Sequence, residues 1–320
     1  MKVIFKFIAL LFLFFVGQAS AQGYPNRPIK IIVGFPPGQS VDVVARLIGP
    51  PMSQSLGQGV VVDNRPGAAS NIGAEAVARA APDGYTMFMG SVSTSINPSL
   101  YTRMAYDPQR DFAALALIAN TPFLLVTHPS MPVKNVKELI ALARARPGDL
   151  VYGSSGVGTA GHLSGELFSS MAGLKMIHVP YKGTGPGTTA LLTGEVQMAI
   201  AGVGTIMPHA KSGKVRALAV TGAKRSPVAP ELPTVAENGL PGYAFDVWYG
   251  VFATSKTPRA TLGKINADIN TAVRDTETIK RFAGAGVDLI GGSVEDSNKY
   301  LQAEMTKWSK VIREAGIKAD

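Results

Sequence analysis

Short apolar runs alternate along this chain with longer stretches of helical periodicity, from Pro25 onward. Ile29–Val33 predicts a strand and Val41–Leu56 a helix, broken or restarted at Pro50-Pro51, since proline fits a first turn but not a helix interior. Val60–Val62 predicts the next strand, Asn71–Ala81 a helix and Thr86–Gly90 a third strand. Asn64-Arg65-Pro66-Gly67 and Pro82-Asp83-Gly84 supply the turns. Ser91 to Ser95 reads as a polar loop, with a short helix opening at Asn97. This βαβαβ order implies a parallel sheet with right-handed crossovers.

Two apolar runs, Ala114–Ala119 and Phe123–Val126, read as a passage into a second unit. There Val136–Arg146 predicts an amphipathic helix, and Leu150, Val151 and Tyr152 a buried strand followed by a helix with Leu163, Leu167 and Met171 on one face. Met176–Val179, Val196–Ala201 and Val215–Thr221 are further strands, with helices over Thr188–Thr193 and Ile206–Lys211. Phe245–Ala253 reads as a strand returning to the first unit, and Pro258–Arg274, Thr276–Ala283 and Val294–Ala315 as helices. The expected fold class is α/β, with two domains joined by two crossing strands at a hinge. Residues 22–122 plus 247–320 form domain 1 and residues 123–246 form domain 2. That is the plan of a periplasmic binding protein of the second topological type, a Venus flytrap, although two-domain α/β enzymes also bind ligands in such clefts.

Residues 1–21 stand apart. Lys2 and Lys6 give a basic start, Phe7 to Val16 is unbroken apolar sequence, and Ala19-Ser20-Ala21 offers small residues for cleavage, so a signal peptide and a periplasmic address are expected. The apolar run is too short to span a bilayer. Loss of Lys2 and Lys6 lowers the formal net charge from +9 to +7. With no cysteine, disulfides and lipid attachment through an N-terminal Cys are excluded. Lys and Arg are scattered and no RNA-binding or helix-turn-helix signature occurs, so no nucleic-acid partner is expected.

Two strand–glycine–helix junctions carry the candidate chemistry. One is Phe35-Pro36-Pro37-Gly38-Gln39-Ser40, with Ser40 as the candidate N-cap; the other is Gly153-Ser154-Ser155-Gly156-Val157-Gly158-Thr159, with Thr159 in that role. Glycines let the backbone turn with positive φ and let a ligand come close. A helix start then points unpaired N–H groups and its positive dipole end into the loop, which suits an anion. A tight βα turn with no ligand is the plainer reading of each. One such junction in each half suggests a cleft between domains.

Longer strings point to a family. They are Tyr24-Pro25-Asn26-Arg27-Pro28-Ile29, Phe35-Pro36-Pro37-Gly38, Asp63-Asn64-Arg65-Pro66-Gly67-Ala68, Ala80-Ala81-Pro82-Asp83-Gly84-Tyr85-Thr86 and Ile96-Asn97-Pro98-Ser99-Leu100-Tyr101. Further on come Tyr152-Gly153-Ser154-Ser155-Gly156, His178-Val179-Pro180-Tyr181-Lys182-Gly183 and Leu232-Pro233-Thr234-Val235-Ala236-Glu237. On these the chain resembles the Bug family of solute-binding proteins, receptors of tripartite tricarboxylate transporters. The resemblance implies a receptor that captures a small organic carboxylate, through backbone groups and ordered waters. It places the ligand against Pro37, Gly38, Gln39 and Ser40 and against Ser155, Gly156, Thr159 and Ala160. Phe35, Ser91, Ser93, Tyr181, Ala201, Thr205 and Trp248 complete the candidate set. Membrane transporter subunits are the implied partners, the receptor is expected to be monomeric, and no cofactor or metal is expected. Two departures stand out: Gln39, Ser40 and Val41 precede Asp42 where relatives often have further glycines, and Ala201 stands where many carry an Asp. A wall without a carboxylate favours an acid with an apolar or aromatic body over an amino acid.

Gly156-Val157-Gly158-Thr159-Ala160-Gly161 satisfies a dinucleotide fingerprint, but no acidic residue lies near His178 to Lys182, where the next strand ends. Gly183-Thr184-Gly185-Pro186-Gly187 lacks the Lys-Ser/Thr of a P-loop. A secreted hydrolase of the same α/β architecture is the alternative from another class, yet no Gly-x-Ser-x-Gly elbow is present. His162 reads as packing or structural, and His128, His178 and His209 as isolated, without metal-ligand spacing. Trp248 and Tyr249 admit two roles, core packing or a stacking surface beside the hinge.

Overall fold

The computed structural model describes residues 23–317; the expected signal peptide lies outside them. β1 (Ile29–Val33), β2 (Val60–Asn64) and β3 (Thr86–Ser91) pair in parallel with β1 in the middle. Ile29, Ile31, Ile32 and Val33 are all buried, which is why this strand is a nearly continuous apolar run. α1 (Ser40–Leu56) and α2 (Asn71–Ala78) make the crossovers. α1 runs unbroken through Pro50 and Pro51, where a break was expected. Gly49 precedes the pair, and with no Cβ it takes the helical conformation that a larger residue before proline resists.

Ser91 to Ser95 is no loop. Ser91 caps α3 (Val92–Leu100) directly off β3, with Thr94 closing a reciprocal capping box. After the short α4 (Pro108–Asp111), the two apolar runs of the sequence form one strand, β4 (Phe112–Thr127). The first half of β4 pairs antiparallel with β9 (Asp246–Thr254) and β10 (Asp288–Leu289), and β9 also pairs with β3. The second half pairs with β7 (Met198–Gly202) and β8 (Arg216–Val220). β7 continues in parallel through β5 (Val151–Ser154) to β6 (Ile177–Pro180). Strand order is thus β2-β1-β3-β9-β4 before Pro122 and β6-β5-β7-β4-β8 after it. The two halves repeat one plan around a shared strand.

The second half carries α5 (Val136–Ala145), α6 (Ala160–Ala172), α7 (Thr184–Thr193) and α8 (Val203–Lys211); α9 (Arg259–Arg274), α10 (Thr276–Gly284) and α11 (Val294–Ala315) follow β9. α7 starts four residues ahead of the expected Thr188, because Pro186 sits in the first turn, where its missing N–H has no helical partner to lose. In α6, Leu163 and Leu167 are buried, but Met171, expected on the same face, is 40 % exposed near the helix end. α11 packs against α3, β4 and α6 and so bears on both halves, with Trp308 fully buried edge-on to Phe245. Among the described residues no helix is long and apolar enough to cross a membrane.

Asp246 opens β9 opposite Pro122, where the chain passes between halves. Its Oδ2 accepts from Asn120 Nδ2 at 3.1 Å, while its buried Oδ1 has no partner. Burial pushes this carboxyl up to about 6, against the hydrogen bond from Asn120. A carboxyl raised in this way contributes stability below its unfolded pKa and loses it as pH rises through about 6. Asp246→Asn removes the charge that is costly at high pH. The expected outcome is a melting temperature raised by roughly 2–4 °C at pH 8, with little change at pH 4.5; equal shifts at the two pH values would show that the charge is not the cause.

Candidate ligand site between the two halves

Four helices begin around one cavity of about 530 Å³. Gly38 and Ser40 at the start of α1 form one wall, and Ser154, Ser155, Ala160 and Gly161 at the start of α6 another. Thr184, Gly187 and Thr188 bring in the first turn of α7, and Gly202, Gly204 and Thr205 that of α8. Thr121, Phe123, Val247 and Tyr249, from the crossing segments of β4 and β9, close the floor. None of the described residues lining the cavity has a charged side chain.

None of these four helix starts is capped by a side chain. By contrast Ser91, Asp107, Asn135, Asp275 and Ser293 cap α3, α4, α5, α10 and α11, while α2 and α9 also start without a side-chain cap. The first turns at the cavity therefore keep amide donors for something else. Gly161 allows α6 to sit this deep, since a Cβ there would fall 2.9 Å from Ile200 O on β7.

The α1 and α6 junctions share one geometry. Gln39, not Ser40, occupies the cap position of α1, with φ −75° and ψ 159°; Thr159 occupies that of α6, with φ −75° and ψ 163°. Gly38 and Gly158, just before them, have φ 84° and 74°. In each, a side chain from the first turn reaches back to that glycine's amide. Gly38 N–H donates to Asp42 Oδ2 at 2.8 Å, and Gly158 N–H donates to His162 Nδ1 at 3.0 Å.

The surroundings of the two acceptors differ. Burial alone would raise the Asp42 carboxyl, but hydrogen bonds from Arg46, Gly38 N–H and Asn64 take it below the usual value. His162 stacks on His178 with ring centroids 3.9 Å apart, and Tyr152 also stacks on His178, at 4.9 Å. Tyr152 donates to Glu166 Oε1 at 2.5 Å, and His162 Nε2 faces the same oxygen at 3.8 Å. Desolvation lowers both imidazoles to about 4, and for His178 the neighbouring His162 adds to it. His178 Nε2 lies 2.7 Å from Ser154 Oγ, but Ser154 is tied by its hydroxyl to Gly156 O and Gly156 N–H. A weak base and a tethered hydroxyl make a poor nucleophilic pair.

The structure brings Gly38, Ser40, Ser155, Ala160, Ala201 and Thr205 of the candidate set to the cavity. Pro37, Gln39, Gly156 and Thr159 belong to the same two loops without lining it; the Thr159 hydroxyl donates to Gly156 O, and Phe35 O accepts from Asn64. Ser91 and Ser93, 3.0 Å apart at the capping box of α3, do not line the cavity, although Ser91 lies opposite Tyr249 of its floor, and the Tyr181 hydroxyl is held by Glu195 at 2.8 Å. Trp248 is fully buried against Phe252 and Tyr300, in the core rather than in the wall. Alternation along β9 explains this correction, because Val247 and Tyr249 share the face that Trp248 does not. Tyr249 is, with Phe123, an aromatic residue of the floor, its hydroxyl reached by Thr121 Oγ1 at 3.4 Å. The first turn of α7 was also missed as a wall, although Gly183-Thr184-Gly185-Pro186-Gly187 was visible as an anion-friendly string.

Residues 44–317 match the family described as "Tripartite tricarboxylate transporter family receptor". Protein BugT of Bordetella pertussis is 36% identical over 301 residues, covering 93% of this chain and 92% of BugT. Rpa4515 of R. palustris, solved with adipate, is 38% identical with a TM-score of 0.75, covering 92% of this chain and 99% of that one. MatC of Rhodopseudomonas palustris, solved with bound malate, is 31% identical with a TM-score of 0.71, covering 90% and 100%. The matched family is one of receptors, and the fold here is α/β, with the same parallel strand order in both halves. The chain belongs to the tripartite tricarboxylate transporter receptor family.

Proposed function

We propose that this protein is an extracytoplasmic receptor that captures a small organic carboxylate in the cavity between its halves and delivers it to a tripartite membrane transporter. The observation that carries this reading is the set of four uncapped helix starts facing a cavity without charged side chains. An anion there replaces the missing caps. At up to about 2 kcal/mol per partly buried helix terminus, two of them account for about half of the −8.2 kcal/mol of a micromolar complex. Rpa4515 with adipate and MatC with malate support the same chemistry. The receptor is proposed to work in the periplasm as a monomer after cleavage behind Ala21. Its ligand-closing halves are residues 22–122 with 247–320, and residues 123–246. The ligand is placed against the Gly38–Ser40 and Ser155–Ala160 loops, with Ala201, Thr205 and Tyr249 around its body.

The body of the ligand is proposed to be apolar or aromatic, and to carry no ammonium group. Asp42 is consumed by Gly38, Arg46 and Asn64, and Asp246 is not among the lining residues. A closed-in ammonium would lack a partner, a cost of several kcal/mol. Calorimetry with adipate, terephthalate, nicotinate and glutamate at equal ionic strength is expected to leave glutamate the weakest. Glutamate binding more tightly than the other three would overturn the argument from the neutral wall.

Ala160→Pro tests the anion seat directly. Ala160 is the first helical residue of α6, where proline fits without strain, and the substitution deletes one amide donor while Thr159 already has the extended backbone that precedes a proline. Affinity for the tightest acid of the panel should fall about tenfold or more, with the melting temperature of the empty protein unchanged. Gly38→Val should act alike for another reason: a Cβ there meets open space, but φ of 84° strains a branched side chain and moves the loop. Tyr249→Phe, which removes one hydroxyl from the floor, should weaken binding by a smaller factor, about three- to tenfold. A folded Ala160→Pro protein with wild-type affinity would place the carboxylate elsewhere.

A further inference from the structure

The paired glycine locks behind the two loops differ in one respect that matters for ligand release. Asp42 and His162 occupy the same position of their helices, each accepting the amide of the glycine two residues before the first helical residue. Four residues on, Arg46 sits against Asp42 and Glu166 against His162, with the charges reversed. The Asp42 carboxylate accepts the Gly38 amide in its ionised form, and its partners hold it ionised. An imidazole accepts the Gly158 amide only while Nδ1 carries no proton.

We infer that His162 is the positioning residue of the second anion loop, and that protonating its imidazole unlocks this loop alone and releases the ligand, while the Asp42 lock holds. The inference rests on the reading of the cavity as a carboxylate site. With Nδ1 accepting from Gly158, the proton of neutral His162 sits on Nε2, toward Glu166. In this form the lock fixes Gly158 at φ 74° and sets the turn from which Ala160 and Gly161 enter the cavity wall. A second proton puts an N–H at Nδ1, donor against donor, and the Gly158 amide loses its acceptor. Burial beside the stacked His178 ring opposes that proton. Glu166 favours it, although its Oε1 is already held by Tyr152. From β5 the facing titratable group is Tyr152, from β6 His178, and from α6 itself Glu166; β7 brings none. α11, which also packs on α6, brings Glu314 to Ser170, two turns away.

The test compares wild-type protein with His162→Asn and His162→Leu. The Asn side chain places an amide oxygen where Nδ1 stands and cannot take up a proton there; Leu fills the space with no acceptor. At pH 7, adipate affinity should be kept within about threefold by His162→Asn and reduced at least tenfold, about 1.4 kcal/mol, by His162→Leu. On acidification from pH 6.5 to 3, through the range where the imidazole titrates, wild type should lose up to about tenfold more affinity than His162→Asn. The ratio of the two proteins cancels the protonation of adipate itself. A constant ratio, or a folded His162→Leu protein that binds like wild type, overturns the inference. If His162→Leu does not fold, the pH-dependent ratio of the other two proteins decides alone. Ligand-free NMR separates this inference from the carboxylate reading: the ring nitrogens of His162 should report an Nε2–H tautomer, and the Gly158 amide should be protected from exchange at pH 7 and exposed once His162 is protonated. Wild-type protein that binds none of the panel acids but shows both signals keeps the lock and removes the carboxylate reading; a Gly158 amide unprotected at pH 7 removes the lock.

Discussion

Every α-helix starts with amide groups that its own backbone cannot satisfy, and this structure is organised around where it leaves them unmet. Elsewhere Ser, Asp and Asn side chains close most helix starts, as at Ser91, Asn135 and Ser293. Around the cavity the side chains that could do so are turned away. Thr159 sits at a cap position, yet its hydroxyl points back to Gly156 O. Asp42 and His162 reach past their own first turns to lock the glycines upstream. The result is a rigid set of donors held open for a ligand, with the supporting polar groups buried behind it.

The shared strand gives that arrangement its two-sided form. β4 serves one half before Pro122 and the other half after it, so the same 2-1-3 order of parallel strands is built twice around one element. Parallel strands followed by helices direct helix starts to the carboxyl ends of both sheets, where ligands of open α/β folds collect. The crossing itself is marked by a proline that donates no bond and by a buried carboxyl with one oxygen unpaired. α11 limits what the crossing permits, because it packs on α3 and α6 at once.

Most of the strand and helix order was legible in the sequence, since parallel strands buried on both faces leave short apolar runs that turn signals bound. The failures have local causes. Ser91 to Ser95 reads as loop by composition, but the same serines and Thr94 close a capping box, and α3 follows β3 without a gap. Pro122 divides the apolar pattern of β4 without dividing the strand. At the cavity, glycine spacing exposed the α1 and α6 junctions, whereas Thr184 to Thr188 was set aside for want of a lysine. Trp248 and Tyr249 could have been sorted by parity, had the register of β9 been fixed first. The shared lock geometry was out of reach, because an aspartate and a histidine carry no common sequence signal.

A cavity whose attraction for anions comes from helix starts alone has a kinetic consequence. The partial charges of a helix terminus act over about one turn, far less than the reach of a cluster of lysines, which extends over a Debye length of about 8 Å or more. The basic residues are scattered along the sequence rather than clustered, and none lines the cavity. The helix termini therefore act on an anion only once it is already between the halves. Selectivity falls to the cavity wall itself, where shape and hydrogen-bond geometry are read at contact distance.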